Sequence, residues 1–275
     1  MNKYQEQLNF TGRTVVITGG TGVLGRAMAL ALAECGANVA VLNRDPARAS
    51  TLMKEIERTP GKAIALAGDV LQKASLEKAA VEIERRFGHI DALINAAGGN
   101  DPRATTNAAQ SFFQLTEKSF RYVSDLNLLG VILPCQVFGK SMAERKEGVI
   151  LNVSSIGAYR PLTRIPAYAA AKAAVSNFTQ WLAVHMAQEY SKKIRVNAIA
   201  PGFFLTEQNR FLLTEKGTGA LTERGKKIID HTPLGWFGEP EDLVGATLWL
   251  LSPASRFVTG IVLPIDGGFS AYSGV

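Results

Sequence analysis

The stretch RTVVITGGTGVLGRAMALALAECG, residues 13–36, decides how the rest of the chain is read. Its first half is a β-branched apolar run ending in glycines, which reads as a buried strand leaving into a tight turn. Its second half has helical composition and closes on Gly36, where a C-terminal cap is expected. Between them the glycines at 20, 22 and 25 satisfy G-x-G-x-x-G, directly between strand and helix. There glycine lets the backbone approach a pyrophosphate, and the unpaired amides and dipole of the helix start favour an anion. Gly19, Gly20, Thr21, Gly22, Val23 and Leu24 are therefore expected to line a dinucleotide phosphate site.

The same strand-turn-helix rhythm continues outward. NVAVLNR (38–44) reads as a second strand, PARASTLMKEIER (46–58) as a helix opened by proline, and KAIALAGD (62–69) as a third strand. SLEKAAVEIERRFG (75–88) is helical, DALINAAGG (91–99) is a strand entering a glycine turn, and Thr116 to Ala143 is mostly helix. GVILNVSS (148–155) and KIRVNAIAPG (193–202) are strands around a further helix; EPEDLVGATLWLLS (239–252) and GIVLPIDGG (260–268) add a last helix and strand. Alternating elements with near-continuous apolar strands predict an α/β, doubly wound parallel sheet with helices on both faces, one domain spanning 1–275. The segment at about 202–233 breaks the rhythm and reads as an inserted substrate loop.

With 47% hydrophobic and 20% charged residues the chain has the balance of a globular protein. Its opening, MNKYQEQLNFTGR, lacks the apolar core of a signal peptide, and no apolar run approaches the roughly 18 residues of a membrane span. A cytoplasmic protein without a membrane partner is expected. Cys35 and Cys135 read as buried free thiols, and His89, His185 and His231 are too scattered for metal-ligand spacing, so no metal is expected. The net charge is +6, but the clusters Arg85-Arg86, Lys192-Lys193 and Arg224 to Lys227 are short and lack interleaved aromatics. They read as solvated helix faces rather than a nucleic-acid surface, while the positive field favours anionic ligands.

A carboxylate normally ends the second strand of a NAD-binding unit, where it accepts from the adenine ribose. Here that position holds Asn43, followed by Arg44. An amide beside a guanidinium accommodates a 2′-phosphate, which tilts the expectation toward NADP(H), with NAD(H) the alternative.

The run AYAAAK, residues 167–172, sets one tyrosine and one lysine among alanines, the best helix formers. Tyr168 and Lys172 stand four apart, so on a helix the phenol and the ammonium share a face. With this motif the chain resembles the short-chain dehydrogenase/reductase family from about Phe10 to its last residue. The motifs that carry the resemblance are TGGTGVLG (18–25), GDV (68–70), NAAG (95–98), Asn127, Ser155, YAAAK (168–172) and PG (201–202). Ser155 lies thirteen residues before Tyr168, the family's spacing. One departure is visible: the family usually has glycine at the position of Val23.

The resemblance implies a Rossmann-like fold and an NAD(P)-dependent oxidoreductase that interconverts a ketone and a secondary alcohol. It implies a tetrad of Asn127, Ser155, Tyr168 and Lys172. A phenol ordinarily titrates near 10. A neighbouring ammonium stabilises phenolate, so Lys172 is expected to depress the Tyr168 pKa, and by resemblance it also holds the nicotinamide ribose. Ser155 would hydrogen-bond the substrate oxygen, and Asn127 would help hold a water joining Lys172 to solvent. Asp69 and Val70 would lie near adenine, and Asn95, Ala96, Ala97 and Gly98 along the cofactor channel, Asn95 as a support. Pro201 and Gly202 would shape the nicotinamide pocket, and Thr206 would contact the carboxamide or a phosphate. The family usually forms homotetramers, and the apolar VSNFTQWLAVHMAQEY (175–190) suits burial on several sides.

Four further segments resemble the D-mannonate oxidoreductase, or fructuronate reductase, branch: NAAGGNDPRATT (95–106), PGFFLTEQNRFLLTE (201–215), LTERGKKIIDHTPLGWFGEPEDL (221–243) and DGGFSAYSGV (266–275). The implied substrate is a small sugar acid, and Asn100, Arg160 and Arg210 are the candidates for binding it, Arg210 for its carboxylate. The alternatives are another sugar-acid dehydrogenase such as a gluconate dehydrogenase, a 3-oxoacyl carrier-protein reductase, and a non-enzymatic nucleotide sensor. The last would tolerate loss of Tyr168 or Lys172, and this chain has both.

Overall fold

The structure is a computed structural model that describes Asn2 and residues 6–206 and 210–274. All seven expected strands are present: β1 (Thr14–Thr18), β2 (Asn38–Asn43), β3 (Lys62–Ala67), β4 (Ala92–Asn95), β5 (Gly148–Val153), β6 (Ile194–Pro201) and β7 (Val262–Ile265). They form one parallel sheet in the order β3-β2-β1-β4-β5-β6-β7. Every residue of β1, β4 and β6 is buried, as expected for central strands covered on both faces. The strand order reverses between β1 and β4, and the crevice beyond their carboxyl ends is where a doubly wound sheet binds ligands.

The helices complete two apolar layers, one on each face of the sheet. α1 (Val23–Glu34) buries Ala27, Met28, Leu32 and Ala33, and the chain leaves it through Gly36 at φ +91°, the left-handed position a helix end favours. α2 (Ser50–Ile56) follows a short 3-10 turn opened by Pro46, and α3 (Lys73–Phe87) buries Leu76, Ala79 and Ile83. α4 (Glu117–Arg145) is continuous through a π-turn at Asp125–Leu129. It corrects one expectation: its most apolar window, of mean hydropathy 1.3, has the length and composition of a span. Val131, Phe138 and Met142 are nevertheless packed in the core, so the apolarity serves the sheet face. α5 (Pro166–His185) carries the tyrosine motif.

The rhythm does break after β6. Two short helices, α6 (Arg210–Leu213) and α7 (Glu223–Asp230), are joined through an isolated bridge between Thr214 and Leu221. Residues 207–209 of the expected insertion lie outside the described residues. α8 (Val244–Leu251) then returns to the sheet before β7.

Candidate active site

The chain turns as soon as β1 ends. Gly19 has φ +67°, and a Cβ on it would fall 2.7 Å from the Cα of Ala97, so glycine alone lets this turn lie against the loop after β4. A Cβ on Gly25 would come 2.5 Å from the Gly19 carbonyl oxygen, so the helix seats on the turn only because that atom is missing. Gly22 is the extended N-cap of α1, and Val23 is already helical. The departure from the family pattern at Val23 is thus absorbed, because a right-handed helical residue needs no glycine. α1 starts with no side-chain cap and no acidic residue in its first turn, leaving its first amides and dipole uncompensated at the crevice.

At the end of β2, Asn43 accepts a hydrogen bond from the Thr21 hydroxyl at 3.0 Å, while its Nδ2 is buried without a partner. An orphan donor beside a glycine turn fits a ribose hydroxyl or phosphate oxygen. Arg44 is exposed next to it. The Asp69 Oδ1 accepts from the Leu71 amide at 3.0 Å, and Val70 is buried against Gly130. Along the crevice, the amides of Ala96 and Ala97 donate to the carbonyl and hydroxyl oxygens of Thr18. Asn95 is buried: its Nδ2 donates to Asn152 Oδ1 at 2.9 Å and to Cys135 Sγ at 3.2 Å, and Asn152 donates to Thr179 at 2.9 Å. This polar chain ties β4, β5 and α5 together, the supporting place expected for Asn95. The same burial pushes the Cys135 thiol up to about 12.

Asn127 stands in the π-turn of α4, where the widened helix turns its amide out of the ladder. Its Nδ2 donates to the carbonyls of Gly99 at 2.7 Å and Val123 at 2.8 Å, and its Oδ1 accepts from the Gly99 amide at 3.1 Å. Both amide hydrogens are thus committed to backbone, and the side chain clamps the loop after β4. A Cβ on Gly98 would fall 2.7 Å from Asn127 Oδ1 and 3.4 Å from Lys172 Nζ, so that loop, α4 and α5 meet at one point.

Ser155 follows β5 and accepts from the Gly157 amide at 3.1 Å. Pro166 opens α5, which sets Tyr168 in the first turn and Lys172 one turn on. Lys172 is 4% exposed; its Nζ donates to the Val153 carbonyl at 2.7 Å and lies 5.7 Å from the centre of the Tyr168 ring. Burial pulls the Lys172 amine down to about 8. Burial also raises the Tyr168 phenol, against a lowering by its hydrogen bond with Ser155. The expected depression of Tyr168 by Lys172 is therefore corrected: burial raises the phenol, and the group that opposes this is the Ser155 hydroxyl.

Leu24, Ser155, Tyr168, Pro201, Gly202, Phe203 and Thr206 line a cavity of about 200 Å³ beside these groups. Phe203 is also a wall of a larger cavity, about 610 Å³, lined by Arg164, Arg224, Lys227 and His231 together with Leu162, Ile228 and Phe269. The sequence candidates for a carboxylate lie elsewhere. Arg160 Nε donates to the Ser270 carbonyl at 3.0 Å, Asn100 donates to Thr105 at 2.8 Å, and Arg210 already has an interaction partner at the start of α6. Arg224 and Lys227 had been read as a solvated helix face. The signal that could have found them is positional: Arg224, Lys227, Ile228 and His231 recur at helical spacing and share one side of α7. Among the described residues no cluster suited to a metal ion occurs.

A crevice at a strand-order reversal, an uncapped helix after a glycine turn, and a Ser-Tyr-Lys group with its serine and lysine buried define a dinucleotide-dependent oxidoreductase. The profile described as enoyl-(acyl carrier protein) reductase matches residues 21–270, and the chain belongs to the short-chain dehydrogenase/reductase family. The uncharacterized oxidoreductase UxuB of Bacillus subtilis (strain 168) is 50% identical over 276 residues, covering 97% of this chain and 98% of its own. A Haemophilus influenzae protein with bound NAD, provisionally named a D-mannonate oxidoreductase, superposes with a TM-score of 0.91 at 45% identity, covering 98% of this chain and 100% of its own. A gluconate 5-dehydrogenase from Burkholderia cenocepacia J2315, in complex with NADP and tartrate, gives 0.84 at 30% identity, covering 98% and 99%. The protein is an NAD(P)-dependent oxidoreductase acting on CH–OH groups.

Proposed function

We propose that this enzyme interconverts D-fructuronate and D-mannonate, with Ser155, Tyr168 and Lys172 at the reacting carbonyl and Asn127 positioning the loop beside them. The observation that carries the reading is that Phe203 lines both the cavity of Ser155 and Tyr168 and an adjacent basic one sized for a polyhydroxy acid. The provisional name of the Haemophilus influenzae protein supports it. The 202–233 segment, with α6 and α7, acts as the substrate loop.

When bound, the nicotinamide supplies or takes the hydride. Ser155 donates a hydrogen bond to the substrate oxygen, and in the reducing direction the Tyr168 hydroxyl gives that oxygen its proton. The Lys172 ammonium would hold the ribose, and its lowered pKa lets it take part in proton relay near neutral pH. The amides of residues 19–24 would hold the pyrophosphate, Asp69 and Val70 would flank the adenine, and Pro201, Gly202 and Thr206 would shape the nicotinamide pocket. Asn43 and Arg44 favour NADP(H), whereas the NAD in the Haemophilus influenzae protein favours NAD(H).

A second reading, oxidation of gluconate, is favoured by the tartrate-bound Burkholderia cenocepacia relative. Both are tested by steady-state assays at the reduced-nicotinamide absorbance. D-fructuronate with NADPH and with NADH is expected to give turnover, and the ratio of rates assigns the nucleotide. Turnover of D-gluconate alone selects the second reading, and turnover of an acetoacetyl thioester alone overturns both. The assembly is proposed to be a homotetramer, which light scattering coupled to size exclusion tests.

A further inference from the structure

The larger cavity has an excess of positive charge built into two separate elements. Arg164 comes from the loop before α5, and Arg224 from the first turn of α7. Lys227 and His231 add to the same wall. The one carboxylate there, Glu223, faces Lys226 at 3.8 Å. Among the described residues neither guanidinium has an ion-pair or hydrogen-bond partner.

Both arginines are held in place at a cost. Arg164 has φ +76°, a left-handed backbone unusual for a side chain of its size, and its carbonyl accepts from the Thr106 amide at 2.9 Å. Arg224 is half-buried, and burial together with the charge of Arg164 disfavours its protonated form. Two guanidinium groups kept close without a counter-charge gain from any anion that comes between them. Leu162, Ile228, Phe203 and Phe269 add apolar walls beside them. His231 is fixed edge-on against Phe269, and Phe269 in turn against Phe203.

We propose that Arg164 and Arg224 form a two-armed clamp for the carboxylate of the substrate, so that the enzyme selects acids by a contact remote from the reacting carbon. The proposal rests on the sugar-acid reading above and assigns its anionic end, in place of Arg160 or Arg210. A carboxylate held there leaves the polyol chain to pass Phe203 toward Ser155 and Tyr168. A planar carboxylate suits the fork geometry of arginine, and lysine would satisfy the charge without the paired hydrogen bonds.

The test is calorimetric titration of D-mannonate and of D-gluconate into the full chain saturated with NADH, a complex that binds a hydroxy acid but cannot turn it over. Arg224→Met and Arg164→Gly are each expected to weaken acid binding at least 30-fold with NADH affinity and Tm unchanged; glycine at 164 adopts the positive φ freely. Arg224→Lys is expected to recover part of the affinity. Equal binding by wild type and both variants overturns the clamp, as does a loss confined to Arg210→Met or Arg160→Met. So does a wild-type chain that binds neither acid. The sugar-acid reaction fails separately: binding that depends on both arginines, without turnover of any uronate or keto-acid, removes the reaction and leaves the clamp.

Discussion

Around the nucleotide crevice most of the walls are strand ends: Gly19 and Thr21 after β1, Asn43 closing β2, Ala97 and Gly98 after β4, Ser155 after β5. Around the larger cavity the walls come from a loop at residues 161–164, from α7, from Phe203 and from Phe269 near the chain end. The first set is aligned by the parallel ladder, which fixes each strand end relative to its neighbours. The second set is aligned by loop hydrogen bonds and side-chain packing, such as the Thr106 amide on the Arg164 carbonyl at 2.9 Å and Phe203 on Phe269 at 5.1 Å. The crevice is therefore a property of the sheet, and the cavity is a property of what is draped over it.

The sharpest break in this comparison is expected at Tyr168, where the two regions meet. Tyr168→Phe is expected to lower turnover at least 1,000-fold while NAD(P)H affinity, read by fluorescence titration, stays within threefold. Turnover near that of wild type would remove the phenol as proton donor.

Next in size is Lys172, which belongs to both regions. Its amine titrates at about 8 when folded against 10.5 when free, so between those values the unfolded chain binds the extra proton and stability rises with pH. Below pH 8 the folded state bears the cost of a buried ammonium in full. Relative to Lys172→Met, wild type should gain about 3 kcal/mol from pH 8 to pH 10.5, measured by urea unfolding across that range. A flat difference would show that the amine is not desolvated. Turnover should be lost in Lys172→Met at every pH.

The strand-end region has its own test. Gly19→Ala places a side chain at φ +67° and against Ala97, which should cost about 2 kcal/mol of stability and weaken nucleotide binding at least tenfold. A melt and a titration on the same sample check both; an unchanged Tm would mean that the turn can shift without loss. The smallest effect is expected at Asn43. Asn43→Asp replaces the orphan amide with a carboxylate and should move the NADH to NADPH preference about tenfold toward NADH, read from kcat/KM ratios, without altering Tm. An unmoved ratio would take Asn43 out of nucleotide selection.

The sequence showed more of the crevice than of the cavity, for the same reason. Parallel strands buried on both faces leave unbroken apolar runs, and the residue after each run is a strand end, so Asn43 could be placed from pattern, while Asn95 and Ser155 were placed by the family resemblance. Tyr168 and Lys172 were placed by helical spacing, since residues four apart share a face. Arg164 gave no such signal. It stands in an irregular loop, and its relation to Arg224, sixty residues on, exists only after α7 folds back beside the loop at residues 161–164. Arg160 looked equivalent in sequence and is instead bonded to the Ser270 carbonyl.

Electrostatics divided in the same way. That Tyr168 and Lys172 are neighbours follows from a local period, but which of them shifts, and in which direction, depends on how much protein covers them. Burial raises the phenol and lowers the amine, and neither effect is written in the spacing. The sequence by itself determined the strand and helix order, the glycine turn and the pairing of phenol with amine, because these follow from backbone sterics and from periods of two and 3.6 residues. Only the tertiary structure decided which cations line the larger cavity and how Tyr168 and Lys172 titrate, because both depend on distance and burial among residues far apart in the chain.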